Sequence, residues 1–156
     1  MTAPSALAET FAINNRINLY LLNAMNETQL ATTYASGKSR TVGKQWAHIH
    51  QVRLMWLKAA APDLLKGLTP LTDKDSLDKQ ALQAALTASG KAMEELLSAA
   101  AITGKVKGFK PHATAFLGYL MAHEGHHRGQ IMVALKENGM MVDKKTQFGI
   151  WEWGVR

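Results

Sequence analysis

The residues best suited to chemistry are His123 and His127. They lie in the run His123-Glu-Gly-His-His-Arg-Gly-Gln-Ile131, which holds three of the chain's six histidines. On a helix, residues four apart sit about 40° apart on one face and about 6 Å apart along the axis. Two imidazoles so placed can grip one metal ion, but two ligands hold a metal poorly, and a third must come from elsewhere. With His123 at the origin of the wheel, Phe116, His127 and Ala134 fall within about 40°, and Leu120 and Ile131 flank them. The pair therefore faces the interior, where a polar nitrogen without a partner costs roughly 1–3 kcal/mol. A metal satisfies both rings at once; carbonyls or water are the simpler alternative.

His48 and His50 compete to be the third ligand. They lie about 200° apart on their helix, so only one can point at the site. His48 is the better choice, because Val52 and Met55 fall within about 40° of it and give it an inward setting. Three inward imidazoles from two helices fit a His₃ site with open positions, the catalytic rather than the closed structural kind. Such donors suit Zn, Ni or Fe alike. His126, about 60° from His123, and Gln130, about one turn beyond His127, are candidates to support the ligands from behind. His112 shares the face but sits about 16 Å away along the axis, too far to ligate.

The same run also reads H-E-x-x-H, the zincin signature, in which Glu124 would be the general base. The longer H-E-x-x-H-x-x-G-x-x-H pattern fails, because Gln130 and Val133 occupy its last two fixed positions. No strand-forming segment is present to hold an extended peptide. Glu124, about 100° from His123, reads instead as a helix-surface charge. Arg128, about 140° away from the site, reads as a salt-bridge or interface residue.

Four long helical patterns must position these groups. The first opens at Pro4 and Ser5 and runs to about Glu27, with Leu7, Phe11, Ile17, Leu21 and Met25 as its apolar stripe. Asn14, Asn15 and Asn18 interrupt it, either to satisfy a polar spot in the bundle or to line a pocket. The turn-rich Ser36–Arg40 connector leads to a second helix from about Thr41 to Ala61. Opposite His48 this helix carries Trp46, His50, Arg53 and Leu57. That second, partly apolar face predicts a homodimer through the Trp46/Leu57 surface. A third helix, from about Ser76 to Ile102, is alanine-rich scaffold packed through Leu77, Ala81, Ala84, Ala85, Ala88, Ala92, Leu96 and Ala99. The fourth runs from Pro111, suited to a first helical position, to Glu137, where Asn138-Gly139 stops it. A short tail with Phe148, Trp151 and Trp153 is expected to fold back as a cap. With no convincing alternating strand, the chain predicts an all-α four-helix bundle forming one domain over residues 1–156.

Composition narrows the function classes. The chain has no cysteine, which excludes disulfides, thiolate metal sites and a cysteine nucleophile. Its net charge of +6 is scattered rather than gathered into a basic stripe with interleaved aromatics, so no nucleic-acid partner is expected. No uninterrupted apolar run is long enough to span a membrane. The first residues lack a charged n-region followed by an apolar run, so the expected location is cytoplasmic.

Two separated segments carry a resemblance. His123-Glu-Gly-His-His-Arg-Gly-Gln-Ile131 is similar to the last-helix motif H-x-x-x-H-R-G-Q-[ILV] of the DinB/YfiT-like superfamily. Trp46-Ala-His-Ile-His-Gln-Val-Arg-Leu-Met-Trp-Leu57 resembles its second-helix motif, and the tail with Trp151-Glu-Trp-Gly154 also fits. The resemblance implies a four-helix bundle, often a homodimer, with a divalent metal held by His48, His123 and His127. It implies metal-dependent chemistry on a small molecule, with a low-molecular-weight thiol or water as the activated group. Bacillithiol S-transfer and mycothiol-dependent isomerisation of maleylpyruvate are activities attributed to the superfamily. A dimeric module in which the metal only locks the bundle is the non-catalytic alternative. Asn14, Asn15 and Asn18 depart from the family, many of whose members carry aromatics in that stretch.

Overall fold

The computed structural model describes residues 5–34, 36–37, 39–72, 75 and 77–156. Its long helices are α1 (Ala6–Asn23), α3 (Val42–Ala60), α4 (Lys79–Thr103) and α5 (Ala113–Glu137). A one-turn α2 (Glu27–Leu30) follows α1, and α6 (Lys144–Gly149) lies in the tail. No strand occurs among the described residues. The chain is all-α, as its periodicity predicts.

Local chemistry sets the boundaries. Ser5, Thr41 and Asp78 each accept a hydrogen bond from the backbone three residues on, capping α1, α3 and α4. The expected run of the first helix to Glu27 breaks at Asn23, because Asn26 and Gln29 form a capping box that starts α2. The fourth helix begins at Ala113 rather than Pro111. His112 is its cap, accepting from the Ala115 amide at Nδ1 over 3.1 Å. The expected starts at Pro4 and Ser76 lie outside the described residues. Gly104, at φ 72°, closes α4 in the left-handed conformation that favours glycine.

The interior has three levels. At one end Leu21, Leu22, Met25, Trp46, Ile49, Leu82, Leu86, Ile131 and Leu135 form an apolar cluster. At the other end Phe11, Leu57, Met93, Leu97, Phe116 and Leu120 form a second. Between them lies a polar layer of Asn14, Asn15 and Asn18 from α1, Arg53 from α3, Ser89 from α4 and Glu124 from α5, all buried. Gly90 lets α4 approach α1 at this level: a Cβ there would collide with the amide of Asn15, whose Nδ2 donates to the Leu86 carbonyl at 3.2 Å.

Three expectations are corrected here. The two faces of α3 are exchanged: Trp46, His50, Arg53 and Leu57 point into the chain's own bundle, while Met55, assigned inward, is 53% exposed. Trp46 and Leu57 are completely buried without any second subunit, so the proposed dimer surface does not exist. On α4 the expected Ala92 and Leu96 are buried, but Leu82, Leu86, Met93 and Leu97 carry the rest of the inner side, while Ala84, Ala88 and Ala99 face solvent. The tail folds back on the bundle as expected, but through Val142, Thr146 and Gly149, while Phe148 and Trp151 stand out from the surface.

Candidate metal centre

The helices α3 and α5 each bring polar groups to the middle of the bundle on two sides. On the outer side, His48 of α3 meets His123 and His127 of α5. The ring centroids are 5.4 Å apart for His48 and His123, and 4.6 Å apart for His48 and His127. One nitrogen from each ring can be chosen so that all three lie within 4.8 Å of one another. Nε2 of His123 and Nε2 of His127 face each other at 3.1 Å. His127 is buried, while His48 and His123 are half-buried.

The donor set fits a divalent metal. At zinc–imidazole distances of about 2.0–2.1 Å, two ligand nitrogens stand about 3.3 Å apart at the tetrahedral angle and about 2.9 Å at a right angle. The observed 3.1 Å lies between the two. Nδ1 of His127 sits 2.6 Å from Oε1 of Gln45, which is itself buried on α3. A carbonyl oxygen there accepts the Nδ1 proton and leaves the Nε2 lone pair of neutral His127 aimed at its two neighbours. Tyr119, one turn before His123, stacks on that ring at 6.3 Å with only 16° between the planes.

Electrostatics keep the three imidazoles unprotonated. Burial, followed by the neighbouring charges of His123, His48 and His126, pushes His127 down to about 4. Burial and then the Arg40 charge lower His48. Burial is also the main cause for His123, which the adjacent Glu124 partly opposes. Near neutral pH the site therefore presents lone pairs, and a metal need not compete with protons.

On the inner side, α3 and α5 are tied by an ion pair. Nε and Nη2 of Arg53 donate to the two carboxylate oxygens of Glu124 at 2.7 and 2.9 Å. Oε2 of Glu124 also accepts from Asn14 and Asn18 at 2.7 and 2.8 Å. Arg53 completes its bonding with the Leu86 carbonyl and the Ser89 hydroxyl. Arg128 donates to the amide oxygens of Asn14 and Asn18 at 2.8 and 2.6 Å. Burial pushes the Glu124 carboxyl up, but the Arg53 charge and the hydrogen bonds from Arg53 and Asn18 outweigh it, and the net shift is downward.

The structure thus joins His48 to His123 and His127. His50 turns the other way, with Nε2 at 2.8 Å from the Thr69 carbonyl. His126 is exposed, its ring 5.1 Å from that of His127. Gln130 lies near His127 and partly opposes its downward shift. Glu124 is corrected from a surface charge to a fully buried one, and Arg128 from a salt-bridge or interface residue to a partner of two amides. Asn14 and Asn18 satisfy a polar spot rather than line a pocket. The zincin reading falls with Glu124, since a carboxylate bound to Arg53 and two asparagines is not free to act as a base. The sequence reading missed Gln45. It lies about 60° from His48 on the wheel and one turn earlier, which is the signal that marks it.

A bundle in which two helices supply three converging imidazoles defines an all-α protein with a candidate metal centre. Comparison with known proteins gives the family. The sequence model described as the DinB family matches residues 1–147. The chain belongs to the DinB family. No curated protein matches it. Among solved structures it is similar to a DinB-like protein from Bacillus cereus ATCC 10987, with 19% sequence identity and a TM-score of 0.59. That match covers 88% of this chain and 93% of the other, and at this identity it shows a shared fold.

Proposed function

We propose that His48, His123 and His127 hold one divalent metal ion, and that the protein is a metal-dependent enzyme acting on a small molecule. The observation that carries this reading is the convergence of three neutral imidazoles, two of them half-exposed. Closed structural sites use up every position; here the protein offers three ligands and leaves one side accessible. An all-imidazole set suits Zn, Ni or Fe. A bound divalent ion would lower the pKa of a coordinated thiol or water and so supply a nucleophile near neutral pH.

The chain's own residues have separate tasks in this scheme. Gln45 holds the His127 ring by its Nδ1 proton, and Tyr119 backs the His123 ring. The Arg53–Glu124 pair fixes α3 against α5, and with it the distance between His48 and the two other ligands. No described carboxylate near the centre is free to serve as a base. The substrate or the coordinated thiol or water itself must therefore carry the proton chemistry. A metal that merely locks the bundle is the competing reading, and the half-exposure of His48 and His123 speaks against it.

Metal content decides the first step. Purified protein is expected to bind about one ion per chain. His127→Ala should lose it, while His50→Ala should keep it. Metal-free protein in all three cases, even after incubation with Zn, Ni and Fe(II), overturns the proposal.

A further inference from the structure

Beside the histidines lies a cavity of about 480 Å³ between the start of α3 and the loop that leads to α4. It shares His48 with the candidate centre. Arg40 and Lys44 line it from the start of α3, and Leu71 and Leu77 line it from the loop. Gln51, about one turn beyond His48, adds an amide. Among the described residues that line it there is no Asp or Glu. Asp75, in the same loop, has its carboxylate engaged by the amide and hydroxyl of Thr72. A larger cavity of about 810 Å³, walled by Leu64, Leu96 and Phe109, contains none of the three histidines.

The chemistry of the smaller cavity is lopsided in a way that selects a ligand. A guanidinium presents paired donors that match a carboxylate or another oxyanion, and it keeps its charge at every physiological pH. Arg40 is close enough for its charge to act on the His48 ring. The leucine side accepts a few methylenes and nothing polar. A neutral polar molecule can use the Gln51 amide but gains no charge-assisted bond from Arg40. Resting on the metal reading above, we infer that this cavity holds the anionic end of a short organic acid, bound by Arg40 while its reactive end reaches the three-histidine centre. Arg40 is then a specificity residue: it selects the substrate by charge and sets the reach from charge to metal at one short hydrocarbon.

The test uses the Co(II)-loaded protein and two thiols of similar size, 3-mercaptopropionate and 2-mercaptoethanol. A sulfur-to-cobalt charge-transfer band reports arrival at the metal, whether or not any reaction follows. At low ionic strength 3-mercaptopropionate is expected to bind roughly three- to tenfold more tightly, as one partly exposed charge-assisted contact allows. Salt should erode that preference. Arg40→Gln should abolish it without weakening Co(II) uptake or 2-mercaptoethanol binding. Lys58→Gln, which removes an exposed charge at the far end of α3, should retain it. Equal affinity for the two thiols in the wild type overturns the inference and leaves the metal reading standing. A preference that survives Arg40→Gln also overturns it, because general attraction to a basic protein would then be the cause. Failure to take up Co(II) defeats the metal reading itself, and the inference with it. Uptake without a band from either thiol shows a centre closed to ligands, and so removes both the inference and the enzyme reading.

Discussion

Two polar clusters sit at the same level of this bundle, on the same two helices, and they are finished to different degrees. The inner one, around Arg53 and Glu124, is closed. Charge meets charge, each oxygen of Glu124 has a donor, and both side chains are 1% exposed. The outer one, around His48, His123 and His127, is open: lone pairs converge and two of the rings reach solvent. Burial of polar groups is thus no guide to function here. A cluster whose charges are paired holds helices together, and a cluster of converging ring nitrogens that reaches solvent has chemistry left to do.

If this division is right, the two clusters fail in different ways. The largest effect should come from Arg53→Met, which strands Glu124 in the interior. A loss of about 3–5 kcal/mol is expected, read as a drop in the urea midpoint at unchanged slope. A loss under about 1 kcal/mol would show that water reaches the layer and that it is not closed. Next comes the outer cluster. Saturating metal at about a hundred times its dissociation constant should stabilise the wild type by about 2.7 kcal/mol in thermal or urea unfolding, and a chelator should reverse the gain. His48→Ala should remove that gain while leaving the metal-free protein within about 1 kcal/mol of the wild type, since a half-exposed ring is deleted.

A smaller effect sharpens the line between ligand and support. Gln45→Leu keeps all three imidazoles but frees the His127 ring, and metal affinity should fall about ten- to a hundredfold in a competition titration. An unchanged affinity would mean that packing alone orients the ring. The smallest effect is in pH. The folded-state pKa of His127, about 4, lies below the usual histidine value of 6.5, so the unfolded chain binds the proton first. Metal-free protein should therefore lose stability as pH falls from 6.5 towards 4, with Glu124 adding to the loss as pH falls below the ordinary carboxylate range. His127→Gln should flatten the upper part of that curve and leave the lower part, which urea titrations at a series of pH values will show.

The two clusters were also unequally legible in the sequence. The outer one announced itself through local spacing: His123 and His127 are one turn apart, and a single further choice between His48 and His50 completed the set. The inner one is written in long-range pairs. Glu124 meets Asn14 across 110 residues and Arg53 across 71, and no periodicity reports such a partner. Without it, Glu124 beside His123 reads as a surface charge, and a helix face holding His50 and Arg53 reads as outward. That is how the two sides of α3 came to be exchanged. The four long helices were plain because capping residues and stripes of Phe, Leu and Ile are local signals. The tail was less so, since Phe148 and Trp151 suggested a burial that the smaller Val142, Thr146 and Gly149 actually supply.

The polar layer has one more consequence. It divides the hydrophobic interior into two compartments, one around Trp46 and Leu86 and one around Phe116 and Leu97. Side chains in different compartments do not share a cavity, so substitutions in one should combine almost additively with those in the other. Each half can then drift, or be redesigned, on its own. The histidines are fastened to the partition between them, and can stay in place while either half is exchanged.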